Sequence, residues 1–228
     1  KAENFLGYFD SSRKMAERGI AIAREVKHPF SVGMALCLAS SVAIERGETA
    51  MTFALARECI DICDEHGFPY YGDWARATQG LAAAFEGRAE AGVIEIEHAI
   101  DAMESFGSLQ SRPMLGIYWA EAMLLAGRPE EVYETLRQHL DLIEQYGEFG
   151  FLSPTRLMMA RALLDYPDPD TAEAEAEFHR CLDCARAQGG DVRPRHPGFV
   201  GLDADGRRRQ WDDRVRHQFR SRAASTGG

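Results

Sequence analysis

The sequence lacks any apolar run of about 18 residues, the length at which a helix can span a membrane. Its first 25 residues mix basic and acidic side chains and contain no apolar block, so no secretory signal peptide is expected there. We therefore predict a cytoplasmic location without membrane contact. The chain begins at Lys1 rather than at a methionine, and we expect it to be a fragment of a longer protein.

The chain is poor in cysteine, with five residues, an odd number that does not favour a disulfide framework. Cys181 and Cys184 form one C-x-x-C, but a structural zinc site needs four ligands, usually two such pairs. Cys59 and Cys63 lie four residues apart on one face of a predicted helix. We expect these cysteines to be small core residues, and we predict no metal ion and no cofactor.

Motifs of catalysis are also absent. There is no G-x-x-x-x-G-K-[ST] loop, no G-x-S-x-G and no H-E-x-x-H, and the seven histidines share no ligand spacing. We therefore predict that the chain itself is not an enzyme.

Positive charge is scarce over most of the chain, whose net charge is −10. Residues 191–228 contain nine Arg and five Asp, a balance of +4, which leaves −14 for residues 1–190. Because residues 1–190 are so acidic, we do not expect them to form a nucleic-acid-binding surface. Only three lysines stand against 23 arginines, as is typical of a GC-rich genome.

Glycine, by contrast, recurs at regular intervals within stretches that otherwise favour helix. A glycine inside a helix costs about 1 kcal/mol relative to alanine, whereas one just past the last helical residue ends the helix at no steric cost. One set of glycines repeats every 40 residues and a second set lies 20 residues after the first. The two sets are Gly47, Gly87 and Gly127, and Gly67, Gly107 and Gly147.

We align the chain with itself every 40 residues, so that each 40-residue unit contains a first and a second helix. In the second helix, four aligned positions (columns) are apolar in every unit, and they lie at i, i+3, i+7 and i+10 of the helix. The columns are Phe53, Val93 and Tyr133; Ala56, Ile96 and Leu136; Ile60, Ile100 and Leu140; and Cys63, Met103 and Ile143. The first helices carry a small-residue column instead, at Ser40, Gly80, Ala120 and Ala160. We predict an all-α solenoid of antiparallel helix pairs.

The order of several short stretches resembles a known family. They are "FLGYFDSS", "HPFSVGMAL", "RGETA", "EHGFPYYGDWA", "AGRPEE" and "AEAEFHRCLDCARAQGG". Residues 3–190 resemble the tetratricopeptide (TPR)-like C-terminal repeats of bacterial class III adenylate/guanylate cyclase–ATPase signalling proteins, which also occur in related ATPase-type transcription regulators. The resemblance implies a right-handed superhelical solenoid. It also implies that a full-length parent carries cyclase or ATPase activity.

The predicted repeat domain covers residues 1–190, as a half repeat ending in the helix from about Asp10 to Val26 followed by about four full units. The Arg- and Gly-rich residues 191–228 depart from the family, either as a divergent tail or as a frameshift product. We expect this tail to be largely disordered, which would leave the last unit uncapped and open to self-association. The other outcome is that a short helix over 210–223 covers that unit.

The candidate function lies on the first helices, which line the inner face of a TPR superhelix. The residues expected to contact a protein or peptide partner are Tyr70, Tyr71, Trp74, Arg76, Arg112, Tyr118 and Arg156. We predict a scaffold for protein–protein or interdomain contact. The alternative is the effector-sensing arm of an ATPase-type transcription activator, and a small-molecule enzyme on a helical scaffold is the least favoured hypothesis.

Overall fold

A computed structural model describes residues 9–108 and 111–188. In these residues it contains helices and turns but no strand. The helices are α1 (Phe9–Val26), α2 (Pro29–Glu45), α3 (Thr49–His66), α4 (Pro69–Phe85), α5 (Ala89–Ser105), α6 (Arg112–Leu125), α7 (Pro129–Tyr146), α8 (Leu152–Asp165) and α9 (Thr171–Ala187), with a short 3-10 helix at Phe149–Phe151 before α8. The predicted all-α class is therefore confirmed.

The helices begin and end at the residues that the local sequence specifies. Proline opens α2, α4 and α7, where its missing N–H leaves no hydrogen bond unmade. The Asp170 side chain caps α9 by accepting a hydrogen bond from the backbone N–H of Glu173 at 3.0 Å. All six glycines predicted to end helices have positive φ, between 70° and 86°.

Two of the four predicted apolar columns are buried in the core, while Phe53, Ile60, Tyr133 and Leu140 of the other two are only partly buried and pack against it. The members of these two columns are each at most 1% exposed. They are Ala56, Ile96 and Leu136, and Cys63, Met103 and Ile143. The small-residue column is buried too, and there α4 and α5 cross at Gly80 and Gly92. A Cβ atom on Gly80 would lie 2.8 Å from the Gly92 carbonyl oxygen, so the two backbones touch without intervening side chains.

Each helix packs on the helices next to it in sequence, and short connections make these neighbours antiparallel. In addition, successive first helices contact one another, α2 with α4, α4 with α6, and α6 with α8. We call α2, α4, α6 and α8 the first-helix row. It is the continuous surface on which the candidate residues were expected.

No helix in the described part of the chain is both long and apolar enough to cross a membrane. The tail 191–228, with the short helix that the sequence allows over 210–223, lies outside the described residues.

Candidate binding surface on the first-helix row

The aromatic side chains at the start of α4 form one connected group. The ring centroids of Tyr70 and Tyr71 are 5.0 Å apart, and those of Tyr70 and Trp74 are 5.9 Å apart, both edge to face. Tyr71 also contacts Phe30 of α2 at 5.4 Å, and Phe30 contacts Phe68 at 5.2 Å. These five residues, the aromatic group, join two neighbouring members of the row, and Phe30 is 40% exposed.

Arg76 is held by two carboxylates close to this group. Its Nη2 donates to both Asp64 oxygens at 2.8 and 2.7 Å, and its Nη1 donates to Asp73 at 2.9 Å. Burial raises the pKa of Asp73, and the charge of Arg76 opposes that rise. Arg76 therefore ties the end of α3 to α4, and its charge is compensated within the protein.

Arg112 and Arg156 are each paired in the same way at the start of a later first helix. Arg112 donates from Nη1 to Glu104 of α5. Arg156 donates from Nη1 to Glu177 of α9 at 2.9 Å. In both arginines the Nε atom is buried and has no hydrogen-bond partner.

Tyr118 lies in the core rather than on an open wall, since only 3% of it is exposed. Its hydroxyl donates to Glu45 of α2 at 3.1 Å, so the side chain reaches past α4 to the first helix two units earlier. Burial is the main cause that raises the pKa of Tyr118 well above its ordinary value. This side chain links α2 to α6.

The structure therefore brings Tyr70, Tyr71 and Trp74 together, spaces the three arginines along the row, and buries Tyr118 in the core instead of exposing it to a partner. Their role in partner binding stays a prediction.

Another connection along the row was not expected from the sequence. Arg161 of α8 forms a two-point ion pair with Glu121 of α6, one contact from its Nη1 and one from its Nη2 at 2.9 Å. The two residues are 40 positions apart, so they occupy the same place in consecutive units. The 40-residue register places these opposite charges in one column, but whether they touch depends on how α6 and α8 pack.

His139 of α7 was assigned no role at the sequence level, yet it is 3% exposed and both of its ring nitrogens lack a hydrogen-bond partner. The imidazole lies directly against Gly116 of α6, where even a Cβ atom would overlap it. Burial lowers the pKa of His139 to about 4, and the positive charge of Arg112 adds to the shift. The ring is therefore neutral at physiological pH.

The region between Tyr70 and Arg112 holds further polar groups. The hydroxyl groups of Tyr70 and Ser111 are hydrogen-bonded to each other. The indole Nε1 of Trp74 and one carboxylate oxygen of Glu148 are buried without partners. Burial raises the pKa of Glu148 above its ordinary value. Buried polar atoms without partners are uncommon in folded proteins, and the described residues have others at Ser12, Thr155 and Arg156.

Cys59 and Cys63 are buried, as predicted, and so is Cys37, whereas Cys181 and Cys184 of α9, which were also expected in the core, are only half-buried. The sulfur atoms of Cys59 and Cys63 are 3.8 Å apart. A side-chain hydrogen bond with Cys37, in which the Cys59 thiol is the donor, and burial raise the pKa of Cys59 well above its ordinary value, and burial raises that of Cys63 to about 12. Among the described residues, no group of three His, Cys, Asp or Glu side chains is arranged to hold a metal ion.

The fold and this surface define an all-α, helical-repeat-like protein with a row of contacting first helices. No protein-family model matches the chain, and no curated protein or solved structure shows significant similarity to it.

Proposed function

We propose that the chain is a right-handed, TPR-like superhelix with a repeat of about 40 residues that acts as a non-catalytic scaffold for protein–protein or interdomain contact. From the sequence resemblance we infer that it belongs to a cytoplasmic bacterial signalling protein of the class III cyclase–ATPase type. The partner is a protein or peptide segment, including other domains of the same parent chain.

The contact of each first helix with the next is the observation that carries this proposal. The series α2–α4–α6–α8 makes one continuous surface out of separate helix pairs, which is how stacked repeats build an extended binding face. The turn glycines recur at the intervals that such stacking requires. A long surface of this kind suits a protein segment better than a compact substrate.

The chemistry of the row supplies anchors for such a segment. The aromatic group presents the part-exposed rings of Phe30 and Tyr71 at the start of α2 and α4. Aromatic side chains in partly desolvated positions carry much of the free energy of protein–protein binding. Arg112 lies at the same end of the next first helix, with 28% of its side chain exposed.

The experiment is a calorimetric titration of this chain with the separately expressed domains that the full-length gene encodes. The variants Tyr71→Ala and Arg112→Gln should each weaken binding about tenfold or more, because each removes an anchor of the row. Arg137→Gln is the matched control, since Arg137 is an exposed arginine of α7 that pairs with Glu134 at 2.9 Å, away from the row.

If Arg137→Gln weakens binding as strongly as Arg112→Gln does, the partner contacts the second helices. That result would contradict the proposed surface. Absence of binding to every domain would contradict the scaffold itself.

The alternative is the effector-sensing arm of an ATPase-type transcription activator, because the same kind of repeats also occurs in that related family. The residues that precede Lys1 in the gene discriminate the two candidates. Metal-binding aspartates of a cyclase domain support the first, and a helix-turn-helix supports the second.

A further inference from the structure

The helix α2 leaves two positions open that the later first helices bury. Ala35 and Leu38 are only partly buried, whereas the residues aligned with them in α4, α6 and α8 are each at most 3% exposed. Those residues are Ala75, Leu115 and Thr155, and Thr78, Tyr118 and Met158. One side of α2 therefore lacks a cover that every later first helix has.

The helix α1 carries an exposed apolar stripe. Met15, Ile22 and Val26 lie on one face of this helix, at spacings of seven and four residues, and they are 56%, 49% and 63% exposed. Gly19 lies on the same face, is only partly buried and has open space at the position of a Cβ atom. The residues aligned with Gly19 in the later second helices are at most 3% exposed, and they are Cys59, Ala99 and His139.

The next unit shows what covers the corresponding positions. Ala75 of α4 belongs to one buried cluster with Leu36 and Cys37 of α2 and with Cys59 of α3. The Cys59 thiol also donates to the Gly33 carbonyl oxygen of α2 at 3.2 Å. The helix α2 therefore fills the groove between α3 and α4. By the same register, α1 and α2 form an equivalent groove, the N-terminal groove, and no described helix lies in it.

The first helices define the chemistry that an occupant of this groove needs. The helices α2 and α4 are each 17 residues long and carry one and two charged residues, respectively. Each has a glycine where it meets its second helix, because a Cβ atom on Gly33 would lie 3.1 Å from the Cys63 sulfur and Gly80 touches Gly92. The occupant is therefore an apolar α-helix with a small residue where it crosses α1.

We propose that the N-terminal groove receives one further first helix, which the parent chain supplies immediately upstream of α1. The register supports this source, because a helix 40 positions before α2 lies mostly ahead of Lys1. Burial of Met15, Ile22 and Val26 drives the docking, and attachment to the same chain gives the helix a high effective concentration. The inference requires no partner on the first-helix row, so it and the proposed scaffold role can fail separately.

The test compares this chain with a version extended by the residues that the gene encodes immediately before Lys1, about 20 of them, which is long enough for one such helix. Hydrogen exchange of the α1 amides, measured by mass spectrometry, should slow about tenfold or more in the extended chain. The unfolding midpoint should rise by about 5 °C or more, because the added helix buries apolar surface on both α1 and α2.

The variant Ile22→Gln distinguishes burial in the groove from a general effect of the extension. In the present chain it should change the midpoint by no more than about 1 °C, whereas in the extended chain it should lower the midpoint by about 4 °C or more. Ile94→Gln is the matched control, since Ile94 on α5 is 52% exposed and should respond weakly in both chains.

Unchanged exchange of the α1 amides in the extended chain would overturn the inference, as would equal effects of Ile22→Gln in the two chains. Sedimentation tests a different occupant. If the extended chain forms a dimer that Ile22→Gln dissociates, a second copy covers the stripe and the inference is wrong.

Discussion

At the residue scale, the same amino-acid type serves different purposes at different positions. Gly107 has a φ of 79° and open space around the position of a Cβ atom, so only its backbone conformation requires glycine. Gly116 is required for space instead, because the His139 ring fills the volume of its missing side chain. Buried residues on α6 and α7 are thus matched in size across the helix pair.

Replacing Gly107 with alanine should lower the free energy of unfolding by about 1 kcal/mol, because an L-residue with a side chain disfavours the left-handed region. Urea denaturation measures the change. Gly150→Ala is the control, since Gly150 has the same open surroundings without a positive φ and its replacement should have little effect. An unchanged midpoint for Gly107→Ala would contradict its role as a helix stop.

The buried His139 should make stability fall in mild acid. Its pKa is lowered from 6.5 to about 4 in the folded chain, so the unfolded state binds the proton more readily. The contribution of the neutral ring is complete above pH 6.5 and is lost as the pH falls towards 4. Between pH 7 and 4.5 this loss amounts to about 2 kcal/mol.

Denaturation of wild type and of His139→Ala at each pH isolates this effect from the titration of the carboxylates. Alanine is the residue that the preceding unit carries at the same place, Ala99. The wild-type free energy of unfolding should fall more steeply with decreasing pH than that of the variant. Parallel slopes would show that His139 titrates as an ordinary exposed histidine.

At the element scale, helix packing depends on whether a glycine faces a neighbour or solvent. Gly92 lies where α5 crosses α4, and a Cβ atom there would overlap the carbonyl oxygen of Gly80. Gly19 lies within α1 with open space at the same position. One glycine permits two backbones to touch, and the other only lowers the helix propensity of its segment.

The two substitutions to alanine should therefore have opposite signs. Gly92→Ala should destabilise the chain by about 1–3 kcal/mol, because α4 and α5 must separate. Gly19→Ala should stabilise it by up to about 1 kcal/mol through helix propensity. Thermal unfolding of both variants beside wild type gives the comparison. A neutral Gly92→Ala would mean that the crossing tolerates a methyl group.

At the scale of the whole molecule, packing is almost entirely local along the chain. Each helix contacts its sequence neighbours, and the first helices add contacts with the next unit. The central cluster of buried side chains extends from Ile44 of α2 to Ala162 of α8, with its densest part on α4–α6. A stack of this kind derives its stability from neighbouring interfaces rather than from one central core.

Hydrogen exchange should therefore be graded along the stack. Amides of α4, α5 and α6 should exchange most slowly, and those of α1 should exchange fastest among the described helices, because α1 packs chiefly on α2. Mass spectrometry of peptic fragments measures the gradient. Equal protection of α1 and α5 would show that the helices unfold as a single cooperative unit.

The sequence by itself determined the helices, their turns and the apolar columns. These follow from local chemistry, because a glycine that ends a helix, a proline that opens one and a spacing of three or four residues act within a single segment. Of the candidate surface, the sequence named Tyr70, Tyr71 and Trp74 as partner-binding residues, and the structure shows that their rings touch within one helix.

Only the tertiary structure decided which polar groups are buried and with whom they pair. Tyr118 reaches Glu45 across 73 positions of sequence, and Arg161 reaches Glu121 across 40. His139 is buried without hydrogen-bond partners at the point where its ring packs against Gly116 of α6. These pairings depend on distances between separate helices, which no local pattern encodes, because burial and partnership arise only when the helices stack.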